Sequence, residues 1–250
     1  MIWLTIDVEE VTDMNFTIKW KNRPLINYEK YIDQFIVLSK GHKTTAFVLG
    51  SFAKKHPHLI KKLSDNDIEI ACHGYKHNLV YKEDFTIWHE EINEAKKLLE
   101  EIIGKEVLGY RSPSWSMPFE KKYYAKLKEM GFEYSSSYFP MKNYMYGNSI
   151  NKKQAFNIYT EHGTIQERPI AKNIIPFSGG FYLRVLPLWI LKILFKKSDN
   201  TIMYIHPYEL MQVNLLNYFR QYANINIDYI LAFYSSSFAI NKIKAILKNE

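Results

Sequence analysis

The sequence predicts an α/β fold, a distorted (β/α)7-type barrel in a single domain. Three observations point to it. Short apolar segments rich in β-branched residues alternate with longer segments of helical period. About seven such strand–helix units fit into the 250 residues. Polar residues gather just past the C-terminal ends of the strand segments, where parallel α/β folds carry their chemistry. Alternation of this kind joins parallel strands by right-handed crossovers. An open doubly wound sheet is the structural alternative.

Each element has its own warrant. Ile2–Val8 is short, apolar and β-branched, so it reads as a buried strand. Tyr28–Ser39 sets Tyr31, Phe35 and Leu38 at helical spacing and stops before Gly41. Residues 44–49 form a second strand, followed by a helix with Ser51 as its N-cap. Residues 67–72 are a third strand. Phe85–Ile103 is the longest helix, with Ile87, Ile92, Ala95, Leu98, Leu99 and Ile102 on one side and Gly104 at its end. Residues 106–110 are a fourth strand. A helix over 118–130 has Pro118 in its first turn and Gly131 after its end. Residues 132–136 are a fifth strand, 166–170 a sixth and Thr201–Ile205 a seventh. Helices are expected over 185–196 and 214–222. Residues 140–180, rich in Asn, Tyr and Gly, break the rhythm and are expected to be an irregular insertion within one domain spanning 1–250.

Composition limits the chemistry. The one cysteine, Cys72, cannot form an internal disulfide or a multi-thiolate metal site. A bound metal must therefore rest on carboxylates and some of the eight His. The net charge is +7 and the pI about 9.1. Yet among 33 basic residues only Arg23, Arg111, Arg168, Arg184 and Arg220 are Arg, which argues against base readout and a nucleic-acid partner. The N-terminus lacks a basic leader region, and no stretch approaches 18 uninterrupted apolar residues. These features give a cytoplasmic protein as the expectation. Residues 185–197, amphipathic with three Lys, offer a peripheral contact with the inner face of a membrane. The oligomeric state is not legible.

Four strand ends carry the candidate site. The first ends in Asp7-Val8-Glu9-Glu10, the third in His73-Gly74-Tyr75-Lys76-His77, the fourth in Arg111-Ser112-Pro113-Ser114-Trp115, and the seventh in His206-Pro207-Tyr208-Glu209. His73 and His77, four apart, can chelate one ion if that segment turns helically. Asp7 and Glu9, two apart on an extended chain, point to one side, so one can hold the metal while the other acts as base. A buried carboxylate needs a partner, and Arg111 is the candidate. His206 can act as general acid. His42, His56, His58, His89 and His162 lack such context and read as surface residues.

Together these segments resemble the polysaccharide deacetylase family (carbohydrate esterase family 4, the NodB homology domain). Thr5-Ile6-Asp7, His73 to His77, Arg111 to Trp115 and Tyr204-Ile205-His206-Pro207 look like its first, second, third and fifth motifs. Ser178-Gly179-Gly180-Phe181-Tyr182-Leu183-Arg184-Val185-Leu186-Pro187 is similar to a segment of a branch whose first motif also reads Asp-Val-Glu. The resemblance implies a distorted barrel and metal-dependent removal of acetyl groups from sugars. It makes Asp7 the base, Arg111 its orienter, His73 and His77 ligands of a divalent metal, usually zinc, and His206 the acid. Trp115 would wall the pocket, and Tyr75, Ser136 and Tyr208 are the further expected substrate contacts.

Two departures stand out. Val8 occupies the family's usual ligand position, so Glu9 is the expected replacement ligand beside His73 and His77, with Glu10 or a metal-free site as the alternatives. Tyr134-Ser135-Ser136-Ser137-Tyr138 replaces a fourth motif that usually contains Asp and Trp. The expected substrate is a nucleotide-linked or lipid-linked precursor of a bacterial surface glycan, whose phosphate suits a basic protein. The alternatives are a sugar deformylase or a metal-free cyclic-amide hydrolase on the same scaffold, and a non-catalytic carbohydrate-binding barrel.

Overall fold

The computed structural model describes residues 2–141, 152, 154–170, 176–198 and 201–248. Its centre is one curled sheet. The strands are β1 (Ile2–Val8), β2 (Lys43–Val48), β3 (Glu69–Cys72), β4 (Gly109–Tyr110), β5 (Tyr134–Ser135), β6 (Phe156–Thr160), β7 (Gly163–Glu167) and β8 (Thr201–Ile205). Their spatial order is β6-β7-β5-β4-β3-β2-β1-β8. All neighbours pair in parallel except the β6–β7 hairpin. The sheet is therefore a half-barrel: β8 and β6 are its two edges among the described residues. The α/β single-domain barrel class holds, in an open form.

Ten α-helices follow the chain among the described residues: α1 (Tyr28–Ser39), α2 (Gly50–Lys55), α3 (Pro57–Asp65), α4 (Phe85–Ile103), α5 (Lys121–Glu129), α6 (Gly180–Val185), α7 (Leu188–Lys196), α8 (Leu215–Phe219), α9 (Ile227–Phe233) and α10 (Ala239–Leu247). The strand side chains alternate between two buried faces, which is why the strands read as continuous apolar runs. Ile2, Leu4, Ile6 and Val8 of β1 join Met203, Ile205, Ala46, Val48, Ile70 and Cys72 under the helices. Trp3, Phe47, Ala71, Ile202 and Tyr204 face the concave side. That alternation carries Asp7 and His73 onto the same concave side, at the strand ends. Each buried Leu, Ile or Phe contributes about 1.5–3 kcal/mol, so the register is set by many side chains at once.

Several boundaries differ from expectation for identifiable reasons. α2 starts at Gly50 rather than after a Ser51 cap: the Gly50 and Ser51 N–H groups donate to the Gly74 and Tyr75 carbonyls, at 2.9 and 3.0 Å. The loop bearing His73 and His77 thus caps this helix. The sixth strand lies at Gly163–Glu167, not 166–170, because it pairs with β6 as a hairpin and with β5 in parallel. This hairpin occupies part of the expected insertion; residues 142–151, 153 and 171–175 of it lie outside the described residues. The helix expected over 185–196 is two helices, broken at Leu186–Pro187. α7 buries Leu191 and Phe195 and leaves Trp189, Lys192, Ile193 and Lys196 exposed. The apolar stretch 227–247 is likewise interrupted, by Ser235 at φ 58° between α9 and α10.

Candidate active site

The four strand ends meet around a cavity of about 120 Å³. Asp7, Glu9, His73, His77, Trp115, His206 and Tyr208 all line it. Arg111 lies behind it, fully buried, with its guanidinium 3.9 Å from the centre of the Phe47 ring. Its Nη1 donates to Asp7 Oδ1 at 2.5 Å and to Thr5 Oγ1 at 3.0 Å, and its Nη2 donates to Ser136 Oγ at 3.1 Å. Three strands thus fix one fork of donors on a carboxylate that is only 2% exposed.

Glu9, His73 and His77 bring one ligand atom each within 4.8 Å of one another, all buried. The His73 Nδ1–H donates to the Arg111 carbonyl at 2.8 Å, which leaves the Nε2 lone pair facing the cavity. Glu9 Oε2 lies 2.7 Å from His77 Nε2 and 3.9 Å from His73 Nε2, yet it makes no well-aligned hydrogen bond. A buried carboxylate oxygen beside two imidazole nitrogens fits a divalent cation, and an N₂O donor set fits zinc. Burial and the charge of His77 push His73 down to about 3, so it stays a neutral imidazole. Burial opposes charge on both Glu9 and His77, but their mutual attraction outweighs it, lowering the former and raising the latter.

The sequence left Glu9 and Glu10 as rival ligands. Glu10 turns away from the cavity to Arg23, Lys55 and His56, with Lys55 Nζ at 3.1 Å and His56 Nε2 at 3.8 Å. Two expected substrate contacts also move. Tyr75 packs beside Gly50 and Ala95 against the helix layer, because Gly74 at φ 87° turns the chain outward. Ser136 is fully buried and serves Arg111. Of the five His read as surface residues, none lines the cavity; His58 and His162 are exposed and the others partly so.

Sequence reasoning quoted Glu209 and Arg184 without giving them a role, and missed Asn15. Glu209 Oε2 accepts from the His206 backbone N–H at 3.1 Å and lies 3.2 Å from His206 Nδ1. Burial alone would lower His206; the hydrogen bond and charge of Glu209, then the charges of Glu9 and Asp7, outweigh it and lift it to about 9. His206 also stacks on Tyr208, with ring centres 4.9 Å apart and planes 9° apart. Arg184 on α6 places Nε 3.8 Å from Glu209 Oε1 and donates through Nη2 to the Leu231 carbonyl at 2.9 Å and through Nη1 to that of Ala232. Asn15 Nδ2 lies 3.1 Å from His77 Nδ1 and donates to the His77 carbonyl at 3.1 Å and Ser114 Oγ at 3.0 Å. The signal for Glu209 was available: three residues after His206, across a Pro-initiated turn, it has capping-box spacing.

The double glycine also has a local cause. A Cβ on Gly179 would overlap the Tyr204 carbonyl and ring, and one on Gly180 would sit 2.9 Å from Tyr204 Oη at a backbone φ of 52°. Only glycine lets α6 begin against the ring that Trp115 also contacts, at 4.6 Å between centres.

Comparison with known proteins bears on the family and the fold. Residues 29–135 match the family model described as polysaccharide deacetylase, and residues 136–229 match one described as a domain of unknown function (DUF3473). No curated protein sequence matches the chain. Among solved structures, a Mycobacterium smegmatis protein assigned as a polysaccharide deacetylase superposes with a TM-score of 0.58 at 15% identity, over 99% of this chain and 91% of that one. A family 4 carbohydrate esterase from Streptomyces lividans, in complex with acetate, gives 0.54 at 11%, over 99% and 88%. A family 4 pseudoenzyme from Bacillus anthracis gives 0.51 at 13%, over 100% of this chain and 60% of that one. At these identities the structural likeness speaks for the fold alone. Residues 29–135 thus match the polysaccharide deacetylase family, and this match supports a hydrolase that deacetylates sugars.

Proposed function

We propose that this chain is a metal-dependent N-deacetylase acting on a sugar carried by a phosphate-bearing precursor of a surface glycan. One observation carries the reading. A carboxylate held from behind by an arginine, a Glu–His–His cluster and a carboxylate-held imidazole line a single small cavity. A binding module needs no such ordered set of acid and base. Glu9, His73 and His77 would hold the divalent metal, zinc by donor type, which supplies Lewis-acid activation of water and of the amide carbonyl.

The chain's own residues do the rest. Asp7 takes the proton from the attacking water, and Arg111 holds the Asp7 carboxylate in place. His206, held toward its protonated form by the hydrogen bond and charge of Glu209, delivers a proton to the departing sugar nitrogen, leaving acetate and a free amine. Glu209 keeps the His206 ring turned so that Nε2, not Nδ1, faces the cavity. Trp115 and Tyr208 offer flat surfaces to the sugar.

One detail favours a second reading. As placed, the Asn15 amide donates to His77 Nδ1, which puts the ring proton on Nε2 against Glu9, a metal-free arrangement. Metal on Nε2 requires Asn15 to present Oδ1 instead. Acetate and formate release from nucleotide-linked N-acyl sugars, with metal content measured in parallel, separates the readings. Acetate release abolished by a chelator and restored by zinc is the expected result. Turnover that survives complete metal removal would falsify the metal-dependent reading, and formate release in place of acetate would overturn the acyl assignment.

Glu209→Ala tests the proton donor. Amide hydrolysis is expected to fall by about 10²-fold or more, because an amine leaves only when protonated. Hydrolysis of 4-nitrophenyl acetate, whose leaving group needs no proton, is expected to change little. Equal losses on both substrates would remove Glu209 from the proton-delivery role.

A further inference from the structure

The wall of the cavity closes on itself. Asn15 bridges to His77 and Ser114 by hydrogen bonds of 3.0–3.1 Å. Ser114 leads into Trp115, whose ring meets Tyr204 at 4.6 Å. Tyr204 lies against Gly179 and Gly180, the start of α6. Arg184, one turn on, is fastened to the Leu231 and Ala232 carbonyls of α9. Asp228, on the same helix, accepts from the Thr17 backbone N–H at 2.9 Å, and Asn226 donates to the Thr17 carbonyl at 2.6 Å. Thr17 and Phe16 then return to Asn15.

The segment after β1 is therefore a fastened strap rather than a free loop. Beyond Thr17 it continues as a ladder: Asn224 N–H donates to the Lys19 carbonyl at 3.0 Å, Lys21 N–H donates to that of Tyr222 at 2.7 Å, and Trp20 bridges Ala223. Phe16, Phe181 and Tyr182, each half-buried, line the cavity from the strap and from α6. A polymer bound by an internal unit needs two exits, one for each flanking sugar. A ring of contacts around the cavity leaves one mouth among the described residues.

We propose that the site accepts a sugar only by its end: a free or carrier-linked monosaccharide, or the terminal unit of a chain, and not an internal unit of a polymer. This rests on the deacetylase reading above. It deepens that reading, because it excludes finished polymer as a substrate except at chain termini.

The test uses the metal-loaded full chain and penta-N-acetylchitopentaose, with the position of each new amine read by tandem mass spectrometry. Free amine confined to a terminal unit is the expected result; free amine on internal units overturns the proposal. A second arm needs no amide turnover. Hydrolysis of 4-nitrophenyl acetate is inhibited with N-acetylglucosamine or with the pentamer at equal concentrations of sugar units. Inhibition that tracks the concentration of chain ends is expected. Inhibition that tracks sugar units, or none by the monomer, overturns the proposal. No acetate from any N-acetyl sugar, with ester hydrolysis intact, would instead count against the deacetylase reading, and end-selectivity would then be decided by the inhibition arm.

Discussion

Replacing Asp7 with Asn is expected to lower acetate release by about 10²–10⁴-fold while the protein keeps its metal and its affinity for substrate. Asn fills the same space and still accepts hydrogen bonds from Arg111 through its carbonyl oxygen. It cannot take a proton from water. The Arg111 fork remains anchored by Thr5, Ser136 and the face of Phe47, so the cavity wall stays in place. Asp7 is not one of the three clustered ligand residues, so metal content is expected to match the parent. The decisive measurements are kcat and KM on the best acetyl sugar, with bound metal measured on the same sample. Undiminished kcat would remove Asp7 from the role of base. Loss of metal together with activity would place it among the ligands instead.

Arg111→Met is expected to cost stability more than any other single change at the site. Arg111 is fully buried and Asp7 nearly so, with 2.5 Å between Nη1 and Oδ1. Removing one partner of such a pair strands the other charge, a loss of about 3–5 kcal/mol. For a chain of this size that corresponds to a melting temperature lower by roughly 6–20 °C. The partner experiment is the double variant Asp7→Asn/Arg111→Met. With no charge left to strand, it is expected to be less destabilised than the sum of the two single changes. Thermal and denaturant unfolding of all four proteins reads the coupling directly. An Arg111→Met protein as stable as the parent would show that the pair is not what holds these three strands together.

Much of this site was legible because parallel strands deliver their next residues to one rim. Asp7 stands at the end of an apolar strand, His73, Arg111 and His206 each follow one, and the alternation of side chains continued past β1 put Glu9 on the side of Asp7 and Glu10 on the other. Residues that act through a neighbour were not legible. Arg184 reaches Glu209 and the α9 carbonyls across unrelated stretches of sequence, and Asn15 reaches His77 from a segment without periodicity. Tyr75 was misplaced because one residue of left-handed backbone at Gly74 reverses which way the next side chain points. The openness of the sheet was hidden for a related reason. The β6–β7 hairpin takes the edge next to β5 through backbone pairing, which leaves little trace in side-chain pattern.

The pairing of β1 with β8 has a consequence for how the molecule is made. β1 leaves the ribosome before its partners and finds β2 soon after, but its other edge stays open until Thr201–Ile205 has been synthesised. At about 5–20 residues per second that delay is roughly 10–40 s, during which a seven-residue apolar strand presents unpaired N–H and C=O groups. Glu9 and His206 flank that same late seam. The nascent chain therefore carries Asp7, His73, His77 and Arg111 long before it carries His206, and the cavity they line together is completed in a single late step.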